Sequence, residues 1–185
     1  MIRTVALTGI SGVGKSTLIK LLSASIEFEH LQASALIKSG RNGAGDAVTQ
    51  DQLRSTDLNE NQRFLIDGFR LAIESKSGLI ILDGHTVIEK GDEIVRIGAF
   101  VFREIGISSM IFLEDDPLAI AERRRGDTNR IRPLPDVDKL TQIQNVSREQ
   151  AAAICHSLGI ALLIHRPHQH AAIARALTGD GFSYG

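Results

Sequence analysis

Thr8-Gly9-Ile10-Ser11-Gly12-Val13-Gly14-Lys15-Ser16-Thr17-Leu18 is the stretch that decides how the rest of the chain is read. Gly9, four intervening residues and then Gly14-Lys15-Ser16 satisfy the phosphate-binding loop pattern, and each residue type has a mechanical reason. Gly9, Gly12 and Gly14 allow a turn tight enough for backbone amides to face phosphate oxygens that side chains would otherwise block. Lys15 is placed to neutralise β- and γ-phosphates, Ser16 to offer a hydroxyl to Mg²⁺, and the helix starting there turns its positive end toward the anion. The segment Gly9 to Thr17, Val13 and Thr17 included, is thus expected to hold a nucleoside triphosphate.

The context supports the motif. Ile2-Arg3-Thr4-Val5-Ala6-Leu7-Thr8 is β-branched and apolar, as a buried strand is, and Ser16 to Leu22 continues with helical spacing. Strand, glycine loop and helix arrive in the required order, which a glycine-rich turn of no function need not do.

The chain has 185 residues, 43% of them hydrophobic, and a net charge of -1, enough for one well-cored domain. Near-neutral charge argues against a general nucleic-acid binder, which needs a basic excess to release counterions, so no DNA partner is expected. Aromatic residues make up 4% with no Trp, leaving little for base-stacking platforms. The single cysteine, Cys155, permits no internal disulfide, and in its alanine-rich helix it reads as core packing. No signal peptide is read, since Met1 is followed at once by the strand, and no apolar run reaches the length of about 18 residues that spans a membrane. A soluble, cytoplasmic protein is expected.

Beyond the first helix, read as Lys15 to Ile26, a short strand is expected near Glu29 to Gln32, then a helical turn. Ser39 to Asp57, with Gly40, Gly43 and Gly45 close together, reads as a mobile loop or small insert. Asn59 or Asn61 could cap the next helix, which runs to about Ser75. Gly78 to Gly84 is a second apolar strand that ends in Asp83, where parallel sheets place their chemistry. Asp83 could anchor a Mg²⁺-bound water, or it could cap whatever follows. Residues 86–97 are open between a hairpin around Lys90-Gly91-Asp92 and an irregular excursion. A helix at Ala99 to Ile105 and a strand at Ser108 to Leu113 follow, and Pro117 opens the helix Leu118 to Arg125. From Arg123 to Arg132 five of ten residues are arginine. A long helix from about Asp136 to Leu158, a strand at Ile160 to Ile164, a helix at Gln169 to Leu177 and a frayed tail complete the chain. The histidines between His165 and His170 read as a surface turn rather than a metal site. Strands alternating with helices mean a parallel sheet covered on both faces.

Taken with Asp83-Gly84-His85 at a strand end and arginines after the helix that Pro117 opens, the chain resembles the P-loop nucleoside monophosphate kinases. Its compact form is most similar to archaeal-type adenylate kinases and adenylate-kinase-like ATPases. The resemblance implies a three-layer α/β/α fold with about five parallel strands in a single domain over 1–185, an acceptor-binding insert at about 31–57 and a lid at about 123–135. It implies Mg²⁺ and the acceptor phosphate beside Asp83 and His85; a hydrogen bond to backbone is the alternative role for His85. The family's acceptor-phosphate arginine is matched here by Lys38. Arg54 is similar to the second arginine of the family's Arg-Asp-x-x-Arg stretch, whose first arginine is Thr49 or Gln50 here. Arg125 and Arg130 in the lid, with Arg148 in Ser147-Arg148-Glu149, would clamp the phosphoryl group once a flap closes; a solvated basic helix end is the alternative. The expected activity is transfer of the γ-phosphoryl group of ATP to a small acceptor, most naturally a nucleoside monophosphate. The rival is an ATPase acting as an assembly factor or switch with a protein partner and no small acceptor. A GTPase is disfavoured by the lack of an Asn-Lys-x-Asp segment, and an ABC-type ATPase by the lack of a Leu-Ser-Gly-Gly signature.

Overall fold

The computed structural model describes residues 1–43, 58–91, 93–126 and 136–179. β1 (Ile2–Thr8) lies at the centre of a five-stranded sheet, with β3 (Gly78–Asp83) on one side and β6 (Ile107–Leu113) on the other. β2 (Glu29–Gln32) and β7 (Ala161–His165) form the edges, giving the order β2-β3-β1-β6-β7, parallel throughout. β4 (Val87–Lys90) and β5 (Glu93–Arg96) make a separate antiparallel hairpin, which resolves the ambiguity over residues 86–97.

The pleat sorts the apolar run of each central strand between two cores. Val5, Leu7, Ile81, Ile111 and Leu113 face one way, toward α1 (Lys15–Leu22), α5 (Pro117–Gly126) and α7 (His170–Thr178). Ala6, Ile80, Leu82, Met110 and Phe112 face the other, toward α2 (Ala33–Gly43), α3 (Leu58–Ile73) and α4 (Ala99–Ile105). α6 (Val137–Leu158) contributes to both, through Leu140 and Ile143 at one end and Ala151, Ile154 and Cys155 at the other. The expected three-layer α/β/α architecture is the observed one. α6 begins where Asp136 accepts hydrogen bonds from the amides of Asp138 and Lys139, and it ends at Gly159 in the left-handed region.

Two boundaries correct the reading of the sequence. Ser39 to Gly43 belong to α2 and not to a loop, because Gly40 lets the backbones of α2 and α3 meet: a Cβ there would lie 2.2 Å from the carbonyl oxygen of Phe64. Asn59 and Asn61 lie inside α3, which starts at Leu58, so neither caps it. Residues 44–57, the greater part of the expected insert, lie outside the described residues, as do residues 127–135 of the lid and the tail from 180.

The α2–α3 contact also buries a charge. Arg41 is 4% exposed, its guanidinium 5.1 Å from the centroid of the Phe64 ring. Its Nη2 donates to Asn61 Oδ1 at 2.8 Å, while Nε has no hydrogen-bond partner among the described residues.

Two outcomes follow from this crossing. Gly68→Ala would place a Cβ 2.0 Å from the carbonyl oxygen of Leu36, and it lowers the urea midpoint by an amount worth about 1–3 kcal/mol. Asn61→Ala deprives Arg41 of its acceptor and costs about 1–3 kcal/mol. Adding Arg41→Met restores most of that loss, since removing both polar partners leaves no buried orphan, and a four-protein denaturation cycle reads the coupling.

Candidate active site

The loop leaves β1 at the point where the chain's connections diverge to either side of the sheet, the crevice in which open α/β folds bind ligands. Its backbone could be made only with glycine at the critical positions. Gly9 has φ 141° and a Cβ there would lie 2.6 Å from the carbonyl oxygen of Leu113; Gly12 has φ 84°. Val13, fully buried, anchors the turn from below. α1 starts at Lys15 with no side-chain cap and no acid in its first turn, so the amides at its start are available to an anion. Ser16 and Thr17 are exposed in that turn.

Lys15 is the hinge of the site. Although it is only 8% exposed, its Nζ donates to the carbonyl of Gly9 at 3.0 Å and lies 3.4 Å from His85 Nε2 and 3.9 Å from Asp83 Oδ1. Asp83 closes β3, where it pairs in register with Leu7 of β1 and Gln32 of β2. Burial lifts the Asp83 carboxyl above its ordinary range, and the Lys15 ammonium and His30 pull it partly back. His30 Nε2 lies 3.6 Å from Asp83 Oδ2. The sequence reading missed His30, although the pleat signals it: His30 pairs with Ile81, two residues before Asp83, so both side chains share a face.

Beside His85 opens a cavity of about 160 Å³ between α2 and α3. Its wall is mostly apolar, with Ile37 from α2, Leu65 from α3 and Phe102 from α4. Ser34, Asn61 and Gln62 supply polar groups, and Gln62, 6% exposed, keeps its Oε1 without a hydrogen-bond partner among the described residues.

The remaining expected site residues are placed unevenly. Gly9, Gly12, Val13, Gly14, Lys15, Asp83 and His85 converge with Ser16 and Thr17 around the loop. Lys38 lies on α2 but outside the cavity wall, to which that helix contributes Ala33, Ser34 and Ile37. Arg148 donates to Glu114 Oε2 at 3.3 Å. Arg54 and Arg130 lie outside the described residues. Arg125 is exposed at the end of α5, while its neighbours Arg123 and Arg124 hydrogen-bond loop carbonyls. Successive helical residues point about 100° apart, so a run of three arginines cannot all face one target, and composition alone does not say which ones do. Pro167, in the 3₁₀ turn Pro167–Gln169 after β7, packs against Gly14. Cys155 is buried, and burial pushes its thiol up to about 11, as an inert core cysteine requires. Among the described residues no helix is long and apolar enough to cross a membrane.

A family profile described as an AAA domain matches residues 8–144. The chain is 27% identical over 154 residues to the adenylate kinase of Thermoplasma acidophilum, with 80% of each protein covered. It is 29% identical over 150 residues to the adenylate kinase of Thermoplasma volcanium, covering 80% of this chain and 81% of that one. Among solved structures, the shikimate kinase from Acinetobacter baumannii in complex with shikimate superposes with a TM-score of 0.63 at 13% identity, over 99% of this chain and 97% of that one, a likeness of fold. With the phosphate-binding loop at its amino end and the profile running through most of its length, the chain belongs to the AAA domain family and has the P-loop kinase fold.

Proposed function

We propose that this chain is an ATP-dependent nucleoside monophosphate kinase acting in the cytoplasm, which moves the γ-phosphoryl group of ATP to the monophosphate of an acceptor nucleotide. The observation that carries the reading is the position of Lys15: its ammonium belongs to the triphosphate loop, yet it lies 3.4 Å from His85, a wall residue of the α2–α3 cavity. Donor loop and cavity therefore share one cation at their boundary. The adenylate kinases that resemble the chain support the same assignment.

Phosphoryl transfer spreads charge over equatorial oxygens, so the protein's work is positioning and charge stabilisation. The loop amides and Lys15 would bind the triphosphate and draw off its charge. Ser16 and Asp83 would hold Mg²⁺; a hydroxyl and a carboxylate are the hard oxygen donors this ion takes alongside phosphate and water. When bound, the ion would supply Lewis-acid neutralisation of the phosphate oxygens. His85 and the apolar wall would seat the acceptor, and exclusion of water would keep the phosphoryl group from hydrolysis. Arg125 and Arg148, together with Arg130, Arg54 and Lys38, are the further cations proposed for the closed state.

One observation favours the rival ATPase without a small acceptor: among the described residues the cavity wall holds neither Arg nor Lys to receive an acceptor phosphate. The two readings part in a coupled assay with ATP, Mg²⁺ and a panel of nucleoside monophosphates. The kinase gives ADP release that depends on one or more acceptors and rises above the hydrolysis background, whereas a flat panel overturns it. Lys15→Ala drops that turnover by about 10³-fold or more, as loss of a transition-state cation does.

A further inference from the structure

The two arginines that touch the loop do so in a common way. Arg123 Nε donates to the carbonyl of Gly12 at 2.9 Å while its Nη2 donates to Asp115 Oδ2 at 2.6 Å. Arg124 Nε donates to the carbonyl of Ser11 at 2.8 Å while its Nη2 donates to Glu89 Oε1 at 3.0 Å. Each guanidinium joins one loop carbonyl to one carboxylate, and the rigid planar fork sets the angle between them.

A trans peptide carries its C=O and N–H on opposite sides. Holding the Ser11 carbonyl outward therefore turns the Gly12 amide to the other side, whereas the Val13 amide closes a turn onto the carbonyl of Ile10 at 3.3 Å. Inward-facing amides are what a phosphate cradle is made of, and a carbonyl turned inward would repel the anion. Glycine at position 12, with φ 84°, has no Cβ to stop either neighbouring peptide from rotating. The restraint comes from outside, since Arg124 Cγ lies 2.9 Å from where a Gly12 Cβ would sit. The Arg124 half is the better shielded: its side chain is 10% exposed against 41% for Arg123.

We infer that Glu89 and Arg124 are positioning residues for the triphosphate loop, Glu89 orienting the guanidinium and Arg124 holding the Ser11 peptide with its carbonyl outward. Neither touches the nucleotide; they act through the loop amides. The inference concerns the donor half of the site and stands whichever acceptor is used, or none. Glu89 lies on the β4–β5 hairpin, next to Ile88 of the acceptor-side cavity, so the hairpin braces both halves of the site.

The test is calorimetric binding of Mg²⁺ and the non-hydrolysable analogue adenylyl-imidodiphosphate to the wild-type chain and to Glu89→Gln, Arg124→Met and the double variant. Glu89→Gln weakens binding by about threefold to tenfold, because the glutamine oxygen still accepts from Arg124 and only the charge assistance is lost. The double variant binds no more weakly than Arg124→Met alone, because both changes act through one contact. In ¹H–¹⁵N spectra of free Glu89→Gln, the Gly12 amide resonance shifts, a signature that a remote loss of stability does not produce; this reading and the single-variant affinity decide the matter if Arg124→Met fails to fold. Wild-type affinity in Glu89→Gln, an unmoved Gly12 resonance, or additive losses in the double variant would each overturn the inference. So would a Glu89→Gln variant that binds the analogue normally and loses only turnover at saturating ATP, since Arg124 would then act on the transferred group.

Discussion

Everything in this molecule depends on the pinch between the end of β1 and the end of β6, where the carbonyl of Leu113 occupies the space a Gly9 side chain would need. The sheet must place its two central strands side by side to bury their shared apolar faces, and the chain leaving β1 must then pass under a neighbouring backbone oxygen. Only a residue without Cβ passes. The loop that results turns at once into α1, and the helix start inherits the open crevice. Packing of the core and creation of an anion site are one geometrical event here.

The cations around that crevice are arranged in two classes. Lys15 faces inward and is held short of solvent by Gly9, Asp83 and His85. Arg123 and Arg124 meet the loop at the carbonyls of Gly12 and Ser11. Contacts to the loop carbonyls are thus divided between a lysine and two arginines. The carboxylates follow the same division, with Asp83 beside Lys15, Asp115 beside Arg123 and Glu89 beside Arg124.

What could be read from residues alone follows where local chemistry and tertiary need coincide. Ile2 to Leu22 was legible because a β-branched run, a glycine loop and a helical pattern each have one physical interpretation and agree. Asp83 was legible from its place at the end of an apolar strand. Gly40 misled, since glycine marks flexible turns and close helix crossings alike, and only the presence of α3 decides between them. His30 was hidden because its significance lies in the register of an edge strand with β3. The arginine run was visible as charge, but its direction depends on where α5 sits over the loop. The wall of the cavity, with Gln62 and Asn61, comes from the meeting of two helices that no local pattern announces.

The crossing of α2 and α3 also governs how the cavity beside His85 is held. Backbone meets backbone at Gly40 and Gly68, so there is no cushion of long side chains to let one helix slide along the other. The two helices form a stiff bracket, bolted by Arg41, Phe64 and Asn61. α2 follows β2 without an intervening residue, so the bracket is hinged directly on an edge strand of the sheet. Leu36, Leu65, Ile66 and Phe69 bury the same bracket in one core with Ala6, Ile80 and Leu82 of the sheet, so the wall of the cavity and that face of the sheet form one piece.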